Sequence, residues 1–185
     1  MADETAARKA DATRVRLELH NPQWALMAAA EAVRLKAALG DELVTVHHMG
    51  STSIPGIAAK PTIDLMPTVT AITTLDARRS EVEALGYHWR GEFGIPDRRY
   101  CVLEREGKRL FHAHFFVDGH ENVLRQLLFR DYLRAHRAEA LAYEAIKRDA
   151  AAAHPWDSMA YNDHKSGWIR ACQERAEAWA ARRQG

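Results

Sequence analysis

The sequence lacks the short motifs that mark several common enzyme classes. It contains no Gly-x-x-x-x-Gly-Lys-Ser/Thr loop, no Gly-x-Gly-x-x-Gly after a strand, no Gly-x-Ser-x-Gly turn and no His-Glu-x-x-His helix. These patterns place nucleotide phosphates, a dinucleotide, a nucleophilic serine or zinc on a defined backbone geometry. Their absence removes the support for kinase, dehydrogenase, serine hydrolase and metalloprotease functions of those kinds.

Cysteine, net charge and long apolar runs are also scarce. Cys101 and Cys172 are far apart and match no zinc or redox spacing, which favours buried thiols in a reducing compartment. Lys+Arg of 26 against Asp+Glu of 25 gives a net charge of +1, so no global field holds the protein on a nucleic acid or an anionic membrane. No run approaches the roughly 20 apolar residues that span a bilayer, and the first fourteen residues lack the apolar core of a secretory signal. We therefore expect a cytoplasmic protein without a membrane or nucleic-acid partner.

The length and composition fit one folded domain. The chain has 185 residues and 47% hydrophobic content, and at this size folding buries roughly 70% of the unfolded surface. The polar stretch 1–14 predicts a flexible start, and residues 15–185 are expected to form a single domain.

The order of the predicted elements gives the fold class. Asn21-Pro22 and Gly40 bracket a helix, which is followed by strands over 43–49 and 62–69 and a helix over 74–85. Two further strands, 100–103 and 110–117, read as a hairpin. The remainder predicts helices over 121–136, 138–152 and 158–182, interrupted at His154-Pro155. Strands come first and helices last, so we predict an α+β fold with a helical C-terminal third.

A Gly50-Ser51 turn after the first predicted strand is the strongest functional signal. Glycine has no side chain to keep a ligand from the backbone, and the N–H groups after it can bind an anion, so the turn suits a phosphate. Asp64 follows on the next strand between Ile63 and Leu65, and this alternation turns its carboxylate to the face opposite its apolar neighbours. A carboxylate beside a phosphate site suggests a metal ion. The alternative for Asp64 is a structural ion pair with an arginine.

The strand predicted over 110–117 carries two histidines on one face. Phe111, Ala113 and Phe115 belong to a wholly apolar face, which we expect in the core. His112 and His114 share the opposite face, at a spacing that allows joint metal or phosphate binding. If this strand lies beside Asp64, the histidines could complete a site that suits Mn²⁺ or Zn²⁺ better than Mg²⁺. The alternative is a pair of half-exposed strand histidines that bond to their neighbours.

Hydroxyl and basic side chains near the turn are further candidates. Ser51 and Thr52 could contact a phosphate, or could satisfy N–H groups of the turn as capping residues. Lys60 is held extended by the proline that follows it, and its amine could neutralise phosphate charge. The alternative for Lys60 is a solvated loop lysine.

Basic residues also recur in the predicted C-terminal helices. Arg130, Arg134 and Arg137 are spaced along one helical stripe and could clamp an oxyanion, although a solvated basic face is the commoner outcome. Lys147 and Lys165 each follow a tyrosine by four residues and are weaker candidates for the same role.

The segments around these residues resemble two known groups of proteins. A strand that ends in Gly-Ser, followed after roughly ten residues by an acidic-hydrophobic strand, resembles the nucleotidyltransferase fold. The whole chain from about residue 15 onwards is similar to the GrpB family. The matching segments are His48-Met49-Gly50-Ser51-Thr52, Pro55-Gly56, Lys60-Pro61-Thr62-Ile63-Asp64, His112-Ala113-His114, Leu128 to Arg134, and a C-terminal helix with Tyr161, Lys165 and Trp168.

The resemblance implies a nucleotidyltransferase-like mixed β-sheet flanked by helices. It implies that Asp64, His112 and His114 are catalytic residues and hold a divalent ion: Mg²⁺, Mn²⁺ or Zn²⁺. The partner would be a nucleotide or another phosphorylated small molecule. The residues that it places at the ligand are His48, Gly50, Ser51, Thr52, Lys60, Arg125, Arg130 and Lys165.

Met66 departs from the pattern of active transferases, which have a second carboxylate two residues after the first. Two metal ions need bridging oxygens to offset their repulsion, and a thioether is a poor ligand for Mg²⁺. Three functions remain open: nucleotidyl transfer with one ion, a non-catalytic phospholigand-binding or regulatory module, and a phosphohydrolase or ligase that uses the paired histidines.

Overall fold

The computed structural model describes residues 14–184 and divides them into two compact units. The sheet unit comprises residues 21–53 and 61–126, and the helical unit comprises residues 14–20, 54–60 and 127–184 within the described part. The flexible start predicted over residues 1–14 lies, apart from its last residue, outside the described residues. The single domain expected over 15–185 stays a prediction.

The first helix of the sheet unit, α1 (Gln23–Leu39), begins and ends where the sequence predicts. The Asn21 side chain accepts a hydrogen bond from the Gln23 N–H at 2.9 Å, which satisfies one of the unpaired donors at the helix start. Gly40 ends the helix at φ +59, a conformation that favours glycine. The apolar stripe of α1 is buried, with Leu35 and Leu39 fully inaccessible.

Five strands form one mixed sheet in the order β1-β2-β5-β4-β3. The strands are β1 (Leu43–Met49), β2 (Ile63–Val69), β3 (Tyr87–Trp89), β4 (Arg99–Arg105) and β5 (Lys108–Val117). Only the β2–β5 pair is parallel, while β1–β2, β4–β5 and β3–β4 are antiparallel. The predicted hairpin is confirmed as β4–β5, and the α+β class with a mixed sheet is confirmed with it.

The helix predicted over 74–85 is two short helices, α2 (Ile72–Ala77) and α3 (Arg79–Ala84). Arg78 separates them, and its guanidinium donates hydrogen bonds to the carbonyls of Ala38 and Leu39. These bonds satisfy carbonyl groups at the end of α1 that have no partner within the helix. The break is therefore set by a contact between elements that are distant in the sequence.

Three helices make up the C-terminal third, as predicted: α4 (Glu121–Ala135), α5 (Arg137–Ala153) and α6 (Ser158–Gln184). The boundary between the two units falls within α4. The main core of the helical unit consists of buried residues from the 54–60 segment and all three helices: Ile54, Ile57, Phe129, Tyr132, Leu133, Ala140, Tyr143, Cys172 and Ala176. None of the helices among residues 14–184 is long and apolar enough to cross a bilayer.

One lysine is buried in the helical unit. Lys147 is 1% exposed, and its Nζ donates a hydrogen bond to the carbonyl of Ala58 and lies 4.8 Å from the centre of the Tyr143 ring. Burial, together with the nearby charge of Lys165, lowers the pKa of Lys147 to about 7, and Glu144 opposes the shift. An amine that is partly neutral near pH 7 avoids much of the cost of a buried charge.

We expect this lysine to make stability depend on pH. Below about pH 7 the amine is protonated in both the folded and the unfolded chain; above it only the unfolded chain keeps the proton, up to the ordinary pKa of 10.5. The free energy of unfolding of the wild type, relative to Lys147→Met, should therefore rise by about 2 kcal/mol between pH 7 and pH 9. Urea unfolding at the two pH values measures this difference. The exposed Lys108→Met variant is the control, and an equal change in both variants would contradict the assignment.

Candidate functional site

The register of the sheet brings Asp64 and the two histidines onto one face. Asp64 of β2 pairs with His112 of β5 in the parallel register, and Leu65 pairs with Ala113. Because side chains alternate between the faces of a strand, His114 joins Asp64 and His112, while Leu65 and Ala113 point to the buried side. Leu65 is 1% exposed and Ala113 is inaccessible, as this alternation requires.

Two imidazole nitrogens approach the same carboxylate oxygen. The His112 Nδ1 lies 3.2 Å from Asp64 Oδ1, and the His114 Nε2 lies 3.9 Å from it. The three side chains are between 19% and 33% exposed, so they are screened from solvent but reachable. In the described part of the chain they are the one group of three potential metal-ligating side chains whose donor atoms lie within 4.8 Å of one another.

The protonation states of this carboxylate–imidazole cluster suit a cation. Burial alone would raise the pKa of Asp64, but hydrogen bonds from His112 and His114 hold it well below its usual range, so the carboxylate is ionised. Burial lowers the pKa of His114 although Asp64 opposes the shift, so its imidazole is neutral at neutral pH. An ionised carboxylate with a neutral imidazole is the state in which these groups bind metals.

Arg98 and Tyr100 extend the cluster, and the sequence did not identify them. Arg98 is 7% exposed, and its Nη1 donates to the Nδ1 of His114 at 3.3 Å. Because a guanidinium can only donate, the Nδ1 accepts and the Nε2–H of His114 faces Asp64. Tyr100 pairs with His114 across β4–β5, with ring centres 4.9 Å apart. The sequence signal that could have identified Tyr100 is the register of the predicted β4–β5 hairpin, because that register places Tyr100 beside His114.

Gly50 lies directly against Asp64. Its φ is +65, and a Cβ atom at this position would overlap the Asp64 Oδ2 and lie 3.0 Å from its Cγ. A side chain is therefore excluded both by the backbone conformation and by the carboxylate. The turn and the carboxylate are thus neighbours, which is the geometry that the sequence predicted.

The other residues of the turn have contacts of their own. Ser51 is half-buried at the start of a short 3-10 turn, Ser51–Ser53, and Ser53 Oγ donates to the Gly50 carbonyl at 2.7 Å. The Thr52 Oγ1 lies 2.9 Å from the His48 Nε2. His48 pairs with Leu65, so strand alternation places it on the opposite face from Asp64. A ligand role for Ser51, Thr52 and His48 stays a prediction.

The four basic residues that the family resemblance places at the ligand are divided between the two units. Arg125 is exposed on α4 in the sheet unit and donates to Asn122 Oδ1 at 2.5 Å. The other three belong to the helical unit: Lys60, Arg130 and Lys165. Arg130 is paired with Asp131 at 2.7 Å, and the amines of Lys60 and Lys165 lie 5.2 and 4.5 Å from the centre of the Tyr161 ring. Their roles at a ligand stay predictions.

Met66 occupies the strand position of the missing second carboxylate. It is 6% exposed and lies two residues after Asp64 on the same face of β2. The parallel register places it level with His114. The metal-ligating side chain next to Met66 is therefore the imidazole of His114 on β5. At this point the sheet supplies one carboxylate, that of Asp64, instead of two.

The donor set fits one divalent transition ion. One carboxylate and two imidazoles, converging on a single oxygen, suit Mn²⁺ or Zn²⁺ better than Mg²⁺, which prefers oxygen ligands. Among residues 14–184 the buried Nε2 of His112 has no hydrogen-bond partner, so that atom is not committed to another structural bond. An ion at the His114 Nε2 would move the ring proton to Nδ1 and so break the bond from Arg98.

The strand order and the flanking helices define a nucleotidyltransferase-like fold. The solved structure of Cid1 in complex with its short product ApU matches with a TM-score of 0.50 and 12% identity, over 71% of this chain and 42% of that chain, which is a likeness of fold alone.

The chain belongs to the GrpB family. The model of that family, described as GrpB protein, matches residues 14–175. The crystal structure of GrpB from Enterococcus faecalis matches with a TM-score of 0.82 and 36% identity, over 89% of this chain and 99% of that one. UPF0157 protein YqkA of Bacillus subtilis is 41% identical over 167 residues, which are 90% of this chain. The chain spans about half the length of YqkA, 48%.

Proposed function

We propose that the carboxylate–imidazole cluster of Asp64, His112 and His114 binds one divalent ion, and with it the phosphates of a nucleotide or another phosphorylated small molecule. The observation that carries the proposal is the convergence of the two imidazole nitrogens on Asp64 Oδ1, at 3.2 and 3.9 Å. Such an ion would supply positive charge for the phosphate oxygens, which the small net charge of the whole chain does not.

The Gly50 turn would provide the other side of the phosphate site. Gly50 has no side chain, lies against Asp64 and is followed by the half-buried Ser51. Backbone at a glycine turn can approach a phosphate closely, and its N–H groups donate to the oxygens. The turn and the adjacent Asp64 carboxylate would then hold one phosphate and the ion side by side.

Binding of the phosphoryl ligand is better supported than two-metal transfer. Met66 is buried where a second bridging carboxylate would stand, and a thioether does not neutralise two adjacent divalent ions. Nucleotidyl transfer with one ion would need the ion and nearby cations to stabilise the charge that develops on the phosphate.

A non-catalytic phospholigand-binding or regulatory module is the second candidate, and the observation that suggests it is Met66, buried in place of a second metal carboxylate. It would keep the phosphate-binding turn and have no need of the ion. The two candidates differ in whether ligand binding depends on a metal and on Asp64.

Thermal unfolding with a nucleotide panel separates the candidates. We expect nucleoside triphosphates with Mn²⁺ to raise the melting temperature of the wild type by about 5 °C or more at a hundredfold excess over Kd. The same nucleotides with EDTA should give little shift, and Asp64→Asn should lose the shift with Mn²⁺. Asp41→Asn, which removes a fully exposed carboxylate in the same unit, is the matched control and should behave as the wild type.

Each of the other outcomes has a definite meaning. A shift that persists with EDTA and in Asp64→Asn would favour the metal-independent module. No shift with any nucleotide or with inorganic phosphate would refute both candidates.

A further inference from the structure

A ladder of aromatic rings leads away from the carboxylate–imidazole cluster. The rings of Tyr100 and His114 are 4.9 Å apart at 33°, and those of Phe93 and Tyr100 are 5.3 Å apart at 32°. The edge of His112 also meets Tyr100, at 5.6 Å and 68°. Phe93 is the outermost ring and is 68% exposed. Such offset arrangements are typical of stacked aromatic groups.

The Gly91–Arg98 loop, which carries Phe93, is held in place by the buried guanidinium of Arg98. The Arg98 guanidinium donates to the carbonyls of Phe93, at 2.8 Å, and Glu92, at 3.1 Å. The Glu92 carboxylate accepts the Asp97 N–H at 2.8 Å, and the Tyr100 N–H donates to the Gly91 carbonyl. The same guanidinium lies 3.3 Å from the His114 Nδ1, so the loop adjoins the cluster.

Phe93 is held in an unfavourable position. Its φ is +46, in the left-handed region that bulky L residues avoid, and its ring faces solvent instead of the core. A strained backbone that presents a large apolar ring needs a reason, and such strained positions cluster at active sites, ligand-binding segments and switch regions. The position of this ring therefore costs backbone strain and the exposure of an apolar side chain to water.

The charges of the loop decide which part of a ligand could lie there. Glu92 and Asp97 are exposed, but the Glu92 carboxylate lies 3.8 Å from Arg99 and that of Asp97 lies 3.9 Å from His120. The loop therefore offers a phosphate paired charges, whereas the cluster offers it the proposed ion. The phosphates therefore belong at the cluster and the Gly50 turn. An uncharged, planar part of the same ligand could stack on the ring of Phe93.

We propose that Phe93, supported by Tyr100, is the stacking platform for the nucleobase of the ligand. The inference rests on the proposed function and extends it, because it assigns the base to the Gly91–Arg98 loop and makes Phe93 a specificity-determining residue. Stacking on an aromatic side chain accepts any base, since every base has a π-face. The platform therefore distinguishes nucleotides from phosphorylated ligands without a ring, and does not select among bases.

Isothermal titration calorimetry with ATP, UTP and inorganic tripolyphosphate, each with Mn²⁺, tests the platform. We expect Phe93→Ala to weaken the binding of both nucleotides at least about 5-fold and to leave that of tripolyphosphate unchanged. Phe93→Trp should stay within about 2-fold of the wild type because it keeps a stacking ring. Ile95→Ala, which truncates a 37% exposed residue of the same loop, should have no effect on any of the three.

A second measurement needs no variant. 2-Aminopurine riboside triphosphate should lose fluorescence when it binds the wild type, because stacking quenches this base. Unquenched fluorescence in the complex would overturn the inference, whether or not Phe93→Ala folds.

The two proposals fail in different ways. If the wild type binds nucleotides and tripolyphosphate equally well, or if Phe93→Ala weakens both equally or neither, the platform is refuted and the phosphate site stands. If the wild type binds neither nucleotide nor tripolyphosphate, both proposals are refuted.

Discussion

Replacing Asp64 by asparagine is expected to lower the affinity for Mn²⁺ at least about 100-fold. Asp64 provides the negative charge of the carboxylate–imidazole cluster and the oxygen on which both imidazoles converge. Loss of a group that only supports a metal ligand already costs about 10- to 100-fold, so loss of the anionic ligand itself should cost more. Calorimetric titration of the metal-free protein with Mn²⁺ measures the change.

The substitution is chosen to preserve the fold. Asparagine has nearly the volume of aspartate, and its amide oxygen can still accept the bond from the His112 Nδ1. The melting temperature without metal should therefore stay close to that of the wild type. If Asp64→Asn binds Mn²⁺ as tightly as the exposed control Asp41→Asn, the ion does not use this carboxylate.

Gly50→Ala should damage the fold and the site together. The added Cβ would overlap the Asp64 Oδ2, and the residue would keep a φ of +65 that alanine disfavours. The backbone conformation alone costs roughly 1–2 kcal/mol, and displacement of Asp64 adds to it, so we expect a loss of about 3 kcal/mol in the free energy of unfolding. Mn²⁺ affinity should fall at least about 10-fold, because the carboxylate has to move.

Gly107→Ala separates the two causes. Gly107 has a similar φ, +73, in the β4–β5 turn, and a Cβ there would meet no atom of the described residues within 4 Å. It should lose only the backbone contribution, about 1 kcal/mol, and bind Mn²⁺ as the wild type does. Urea unfolding and Mn²⁺ titration of both variants provide the comparison. Equal losses of stability and unchanged metal affinity in both would show that Gly50 is required only for its turn.

The sequence predicted the parts of the fold that local patterns determine. Asn21 before Pro22 gave the start of α1, and the alternation of apolar and polar residues gave β2 and β5 with their faces. β3 was missed because three residues are too few to show a period. The break between α2 and α3 was missed because it depends on Arg78 and the carbonyls of Ala38 and Leu39, which lie about 40 residues away.

The same division applies to the site. Asp64, His112 and His114 could be grouped from the sequence because each lies on a recognisable strand, and only the adjacency of the strands had to be assumed. The structure supplies that adjacency. Phe93 and Arg98 lie in a loop without a period, and their positions depend on bonds to loop carbonyls and to His114. No local pattern contains those bonds, so no sequence signal marked them.

The most direct test of the account is the location of a bound ion. Crystals grown with Mn²⁺ and a nucleoside triphosphate should show one anomalous difference peak within about 2.0–2.4 Å of Asp64, with imidazole nitrogens of His112 and His114 and a phosphate oxygen completing the coordination. Ordered nucleotide without an anomalous peak at these three side chains, or a peak only elsewhere on the protein, would contradict it.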